Sequence, residues 1–279
     1  MPARARASLI GAGVGAAALV VTWFAAFETG FGKRADRSVL HGFVGLQGLH
    51  VNGLANLVAE ICDPKPFAVL GALLVVVALI RGRPRVALAV AAILLCANEM
   101  TELIKPLVSA PRLLPGYPIP ERSWPSGHAT AAMSLALCAI LVAPRRRRPI
   151  VAVIGAAFAV AVSYAFLTLA WHYPSDVVGG FLVAGTWALL VVAVLFWTEA
   201  QGHDRRGAEE TSRPSLRSTL VAPAAGCGVA AVSAGLVLLV RPHQVLSYAR
   251  LHEAFVIGAG AIGALALAVA MTLMLEVRR

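Results

Sequence analysis

Charge is scarce in this chain. Only 14% of its 279 residues are charged while 59% are hydrophobic, and the mean hydropathy is +0.78. That balance excludes an ordinary water-soluble domain. Acidic side chains are scarcer still, 14 Asp and Glu against 24 Lys and Arg. Cysteine is limited to Cys62, Cys96, Cys138 and Cys227, scattered without disulfide or metal-finger spacing, so they are read as small packing residues. Strict apolar/polar alternation is absent, which argues against a transmembrane barrel. No linker parts two soluble domains, because the longest strongly polar stretch is 198–218.

What is present in abundance is apolar sequence in long runs. A helix needs roughly 20 residues to cross a hydrocarbon core of about 30 Å. Runs near that length fall at approximately 8–27, 66–81, 86–104, 128–143, 149–170, 177–197, 219–240 and 255–276, the second and fourth being short. They are rich in Ala, Val, Leu and Gly, as in helices packed through small residues. The expected fold is all-α, a polytopic membrane bundle. A six-helix core fills 1–197, a cytoplasmic loop 198–218, and an accessory helix pair 219–279. The first run is too long for the apolar core of a signal peptide and is read as an uncleaved helix. Segment 38–61, interrupted by glycines, His41, His50 and Asn52, is read as a surface-lying or re-entrant piece.

The net charge of +10 is explained by topology rather than by nucleic acid. With the N-terminus cytoplasmic, fifteen Lys and Arg fall inside, among them Arg145 to Arg148, and nine fall outside. This split follows the positive-inside tendency. Helix parity then puts segments 105–127, 171–176 and 241–254 on one outer face. The third, with His243, Arg250, His252 and Glu253, has no recognisable spacing and is read as a polar loop.

The first two hold nearly everything reactive. Lys105 and Arg112 stand seven positions apart in "KPLVSAPR". Two permanent cations there suit an anion, the lysine as a compact charge and the arginine as a fork matching phosphate oxygens, although snorkelling at an interface would also explain them. After a loop stiffened by Pro111, Pro115, Pro118 and Pro120 comes Pro125-Ser126-Gly127-His128, at the mouth of an apolar run. Ser126 is a natural helix cap, Gly127 leaves the backbone open, and the free amides of a first turn form an anion site with His128 at its edge. In "WHYPSDVVGG", His172 and Asp176 are spaced i, i+4. A helix running through both would let the carboxylate orient the ring. Three ligands of a zinc ion, His128, His172 and Asp176, are the alternative, against which the nearby cations speak.

These residues resemble the type 2 phosphatidic acid phosphatase superfamily, membrane lipid phosphate phosphatases that share a core with vanadium haloperoxidases. The family pattern is Lys-x6-Arg-Pro, Pro-Ser-Gly-His and Ser-Arg-x5-His-x3-Asp. Here Leu113 replaces the first proline, the second block is complete, and Ala165 and Phe166 stand at the Ser-Arg positions. The resemblance covers roughly 86–197 and implies a nucleophilic His172 oriented by Asp176. It implies His128 as the acid for the leaving alkoxide, then the base for water. Lys105, Arg112 and the amides near Ser126 and Gly127 would hold the equatorial oxygens, with Arg122 as a substitute for the missing arginine. No metal or other cofactor is implied. The expected activity is hydrolysis of a lipid phosphate or polyprenyl pyrophosphate through a phosphohistidine, in the cell membrane with the site facing outside. A lipid phosphotransferase on the same site and a catalytically weak phospholipid-binding relative are the alternatives.

Overall fold

The structure, a computed structural model, describes residues 1–112, 116–117, 119–203 and 242–278. Among them lie ten helices and no strand: α1 (Ala3–Glu28), α2 (Gly30–Val44), α3 (Leu49–Glu60), α4 (Pro64–Ile80), α5 (Pro84–Val108), α6 (Gly127–Val142), α7 (Arg148–Thr168), α8 (Pro174–His203), α9 (Pro242–Leu251) and α10 (Glu253–Arg278). The chain is a multi-pass membrane protein. Five of these helices, α1, α5, α7, α8 and α10, are long and apolar enough to cross a bilayer. The α3–α4 pair, bent by 50° at its break, is together long and apolar enough for a broken span or a re-entrant loop. The expected run 219–240 lies outside the described residues, as do 204–218, Leu113, Pro115 and Pro118.

Proline sets many of the helix starts. Pro64, Pro84, Pro149 and Pro174 each stand in a first turn, where the missing N–H costs nothing and the fixed φ suits a helix. Two segments differ from the expected loops. Helix α8 continues through His203, taking the first residues of the stretch read as a cytoplasmic loop. The segment read as an outer polar loop contains α9, whose Tyr248 stacks on His252 one turn on and donates its hydroxyl to Gly42 O at 2.5 Å. An i, i+4 pairing of that kind is invisible to hydropathy.

Helix α6 is the axis of the molecule, with every residue buried except Gly127, His128 and Ala139. Its 16 residues span roughly 24 Å, less than a hydrocarbon core of about 30 Å. At its other end the turns gather: Arg81 and Arg83 donate to the carbonyls of Leu141 and Val142, and Arg148 donates to Val277 O. The mouth end holds the end of α5, the start of α6, the end of α7 and the start of α8, tied by Trp23 donating to Val108 O and Gln47 to Thr168 O. All three motifs therefore meet at one end of the bundle.

Candidate active site

Ser126 caps α6, its side chain accepting the Ala129 N–H at 3.3 Å. Its own amide is spent on Asp176 O at 3.0 Å, which ties the α6 cap to α8. The free first-turn donors are the amides of Gly127 and His128, which meet no acceptor among the described residues. Close approach of α8 to this cap depends on Gly180. A Cβ there would lie 2.7 Å from Ser126 O and 2.9 Å from Thr130 N, so any side chain would push the helices apart.

Lys105 is delivered by α5, which is held to α6 one turn earlier by the Thr101–Thr130 hydroxyl pair at 3.1 Å. Its Nζ pairs with Glu102 at 2.5 Å, and Glu102 is largely exposed. The ammonium sits over the helix mouth, 3.5 Å from where a Cβ on Gly127 would be. Glycine leaves that space open.

His172 leaves α7 through Ala170, a non-glycine residue at φ 57 in the left-handed region. The turn is closed by the Trp171 amide donating to Phe166 O at 3.0 Å, the hydrogen bond of a Schellman motif. His172 Nδ1 stands 3.3 Å from Asp176 Oδ2, as the i, i+4 spacing predicts, although α8 begins only at Pro174. The same carboxylate oxygen accepts the Tyr173 N–H at 2.9 Å, and Oδ1 accepts from Arg112 Nη2. With Nδ1 turned to Asp176, Nε2 of His172 is the nitrogen left for other chemistry. The His128 ring lies 6.5 Å from it, centroid to centroid, close enough for one phosphoryl group to touch both.

Several residues here escape any reading of the chain alone. Asp63, at the α3–α4 break, lies 3.1 Å from His128 Nε2. Asp36 on α2 accepts from Arg112 Nη1, the Ser175 N–H and the Ser175 hydroxyl. Burial pushes the Asp36 carboxyl up to about 6, against the lowering pull of Arg112 and Ser175. Asp36, Asp63 and Ser175 carry no local sequence signal of these partners.

Arg112 and Arg122, both expected at the phosphate, differ in their surroundings. Arg112 is occupied by protein carboxylates. Arg122 is exposed on the turn before Ser123, with no hydrogen bond or ion pair among the described residues, so the structure does not bring it to the others. Phe166 is fully buried, its ring 5.2 Å from His172 and 6.0 Å from His128. It fills the flank of both imidazoles. No cluster of three or more His, Cys, Asp or Glu suited to a metal occurs among the described residues.

Residues 81–200 match the family model described as the PAP2 superfamily. The chain is also similar to a crystal structure described as the first transmembrane PAP2 type phosphatidylglycerolphosphate phosphatase from Bacillus subtilis. The TM-score is 0.55 at 17% identity, over 68% of this chain and 96% of that one. That likeness is one of fold. Among curated proteins no sequence matches. The segment that matches the PAP2 superfamily model, 81–200, carries Lys105, Arg112, the Ser126–His128 cap, His172 and Asp176.

Proposed function

We propose that the protein hydrolyses a lipid phosphate or pyrophosphate at the outer face of the membrane, through a phosphohistidine on His172. The observation that carries this reading is the pairing of His172 Nδ1 with the buried Asp176, with the His128 ring 6.5 Å away. A carboxylate on Nδ1 fixes the tautomer whose Nε2 lone pair attacks phosphorus. The P–O bond to the lipid breaks as the N–P bond forms, and His128 gives its proton to the departing alkoxide. His128 then takes a proton from water, which attacks phosphorus and releases His172 and inorganic phosphate. Asp63 pairs with His128 Nε2 at 3.1 Å and so orients this ring as Asp176 orients the other. Lys105 and the amides of Gly127 and His128 face the charge on the equatorial oxygens.

A polar mouth at the end of the apolar helix α6 suits a headgroup whose tail stays among lipid chains. Phosphatidylglycerol phosphate, polyprenyl pyrophosphate and phosphatidic acid are the candidates, the first echoed by the similar crystal structure. The test is phosphate release from each by the detergent-purified chain, with EDTA present. Release from at least one supports the reading, and activity lost to EDTA but restored by zinc replaces it with a metal mechanism. The buried Phe166 favours one second reading, a relative that binds phospholipid but turns over slowly or not at all.

A further inference from the structure

Arg112 is enclosed by groups of the protein. Nη1 donates to Asp36 Oδ2 and Ser175 Oγ, both at 2.9 Å, while Nη2 donates to Asp176 and, at 3.5 Å, to Ser123 Oγ. The Phe27 and Tyr173 rings lie against the guanidinium, 4.3 and 4.6 Å from its carbon to their centroids. Only Nε, buried, lacks an acceptor. Each terminal nitrogen thus gives one N–H to a carboxylate and one to a serine hydroxyl, so an incoming phosphate would have to displace one of these partners.

Asp36 is equally committed. It is buried, and besides Arg112 its two oxygens accept the Ser175 N–H at 2.9 Å and the Ser175 hydroxyl at 2.6 Å. The first is a helix cap supplied from another element: the opening turn of α8, with its unsatisfied amides, is held by a carboxylate from α2. Asp176 lies in that turn.

We propose that Asp36 is a positioning residue. It holds Arg112 in a carboxylate–guanidinium–carboxylate bridge and caps α8, so that Arg112 fixes Asp176 on His172 rather than binding the substrate phosphate. The fully buried Asp176 needs a counter-cation, and with Asp36 on the other edge Arg112 cannot swing from Asp176 toward the substrate. The resemblance makes Arg112 a phosphate ligand. In this chain its charge is spent on orientation, and with Phe166 in the other arginine position Lys105 is the cation left to the phosphate.

The proposal rests on the phosphatase reading only for its turnover measurements. Asp36→Asn, Arg112→Gln and the double variant are purified as full chains. For each, kcat and KM are measured on whichever lipid phosphate is hydrolysed, and inorganic phosphate affinity by calorimetry. Each single variant should lower kcat about tenfold or more, the loss of one charge-assisted contact, with KM and phosphate affinity within about threefold. The double variant should be no worse than Arg112→Gln, because both changes cut one bridge. Independent, multiplying losses would overturn the proposal, as would Arg112→Gln weakening phosphate binding more than about tenfold, the signature of a direct ligand. If either variant fails to fold, Arg112→Lys and Asp36→Glu replace them under the same criteria. Nitrogen NMR of His172 needs no turnover: the Nδ1–H tautomer should dominate in the wild type and lose its dominance in the variants, and an unchanged tautomer contradicts the bridge. A wild type that hydrolyses no lipid phosphate sinks the phosphatase reading, while phosphate affinity and the tautomer still decide the bridge.

Discussion

At the scale of single residues, the site contains two histidine–carboxylate pairs, His172 with Asp176 and His128 with Asp63. Their proposed tasks differ, and so do the predicted losses. His172→Ala removes the nucleophile and should abolish phosphate release. His128→Ala should cost about 100-fold or more on alkoxide leaving groups, the usual contribution of a general acid. It should cost much less in the first-turnover release of p-nitrophenol from p-nitrophenyl phosphate, whose leaving group needs no proton. Equal losses on both substrates would remove His128 from that role. Phe166 sets a second prediction. Its ring flanks both imidazoles, so Phe166→Arg should bring a cation to the phosphate and raise kcat/KM about tenfold or more, the worth of one charge-assisted contact. Phe166→Leu, which only loosens the packing, should lower it. Arg122, exposed and apart, should tolerate Ala within about twofold, as surface positions do. A tenfold loss there would mean that Arg122 reaches the phosphate when substrate binds.

At the scale of elements, the site depends on how closely α8 meets the α6 cap. Gly180→Ala drives a methyl group into Ser126 O and the Thr130 amide. Such overpacking should lower stability by about 1–3 kcal/mol, and activity should fall with it. Gly13→Ala, where a Cβ meets nothing within 4 Å, should change stability by no more than about 1 kcal/mol. Thermal unfolding in detergent compares the two, and equal behaviour would deny the contact its importance. Element by element, the chain was legible where the signal is local. The Ser126 cap, the His172–Asp176 spacing and the proline-started apolar helices all lie within a few residues of their partners. Asp36 and Asp63 were not legible, because their partners lie 139 and 65 positions away and nothing in an amphipathic helix or a helix break announces such a meeting. The same limit hides the surroundings of Arg112 and Arg122. Sequence supplies the cation but not the carboxylates that occupy it or the distance that isolates it.

At the scale of the whole molecule, the two ends of the bundle differ in what they gather. The site end holds Lys105, His128 and His172, and the opposite end gathers Arg81, Arg83 and Arg148 on helix-end carbonyls. The charge split predicts that the arginine-rich end is cytoplasmic. After Cys62 is replaced, a cysteine at Tyr117 should therefore react with an impermeant thiol reagent on intact cells, and one at Arg146 only after permeabilisation. The reverse pattern would invert the orientation and leave the chemistry untouched. The central claim is the covalent step on His172. It is tested most directly by rapid acid-free quenching of the purified protein with lipid phosphate labelled in its terminal phosphoryl group, followed by mapping of the label. The account predicts an alkali-stable, acid-labile phosphoryl group on His172, absent in His172→Gln and accumulating in His128→Ala when the leaving group needs no proton. Phosphate release without any label on His172, or labelling that survives His172→Gln, would contradict it.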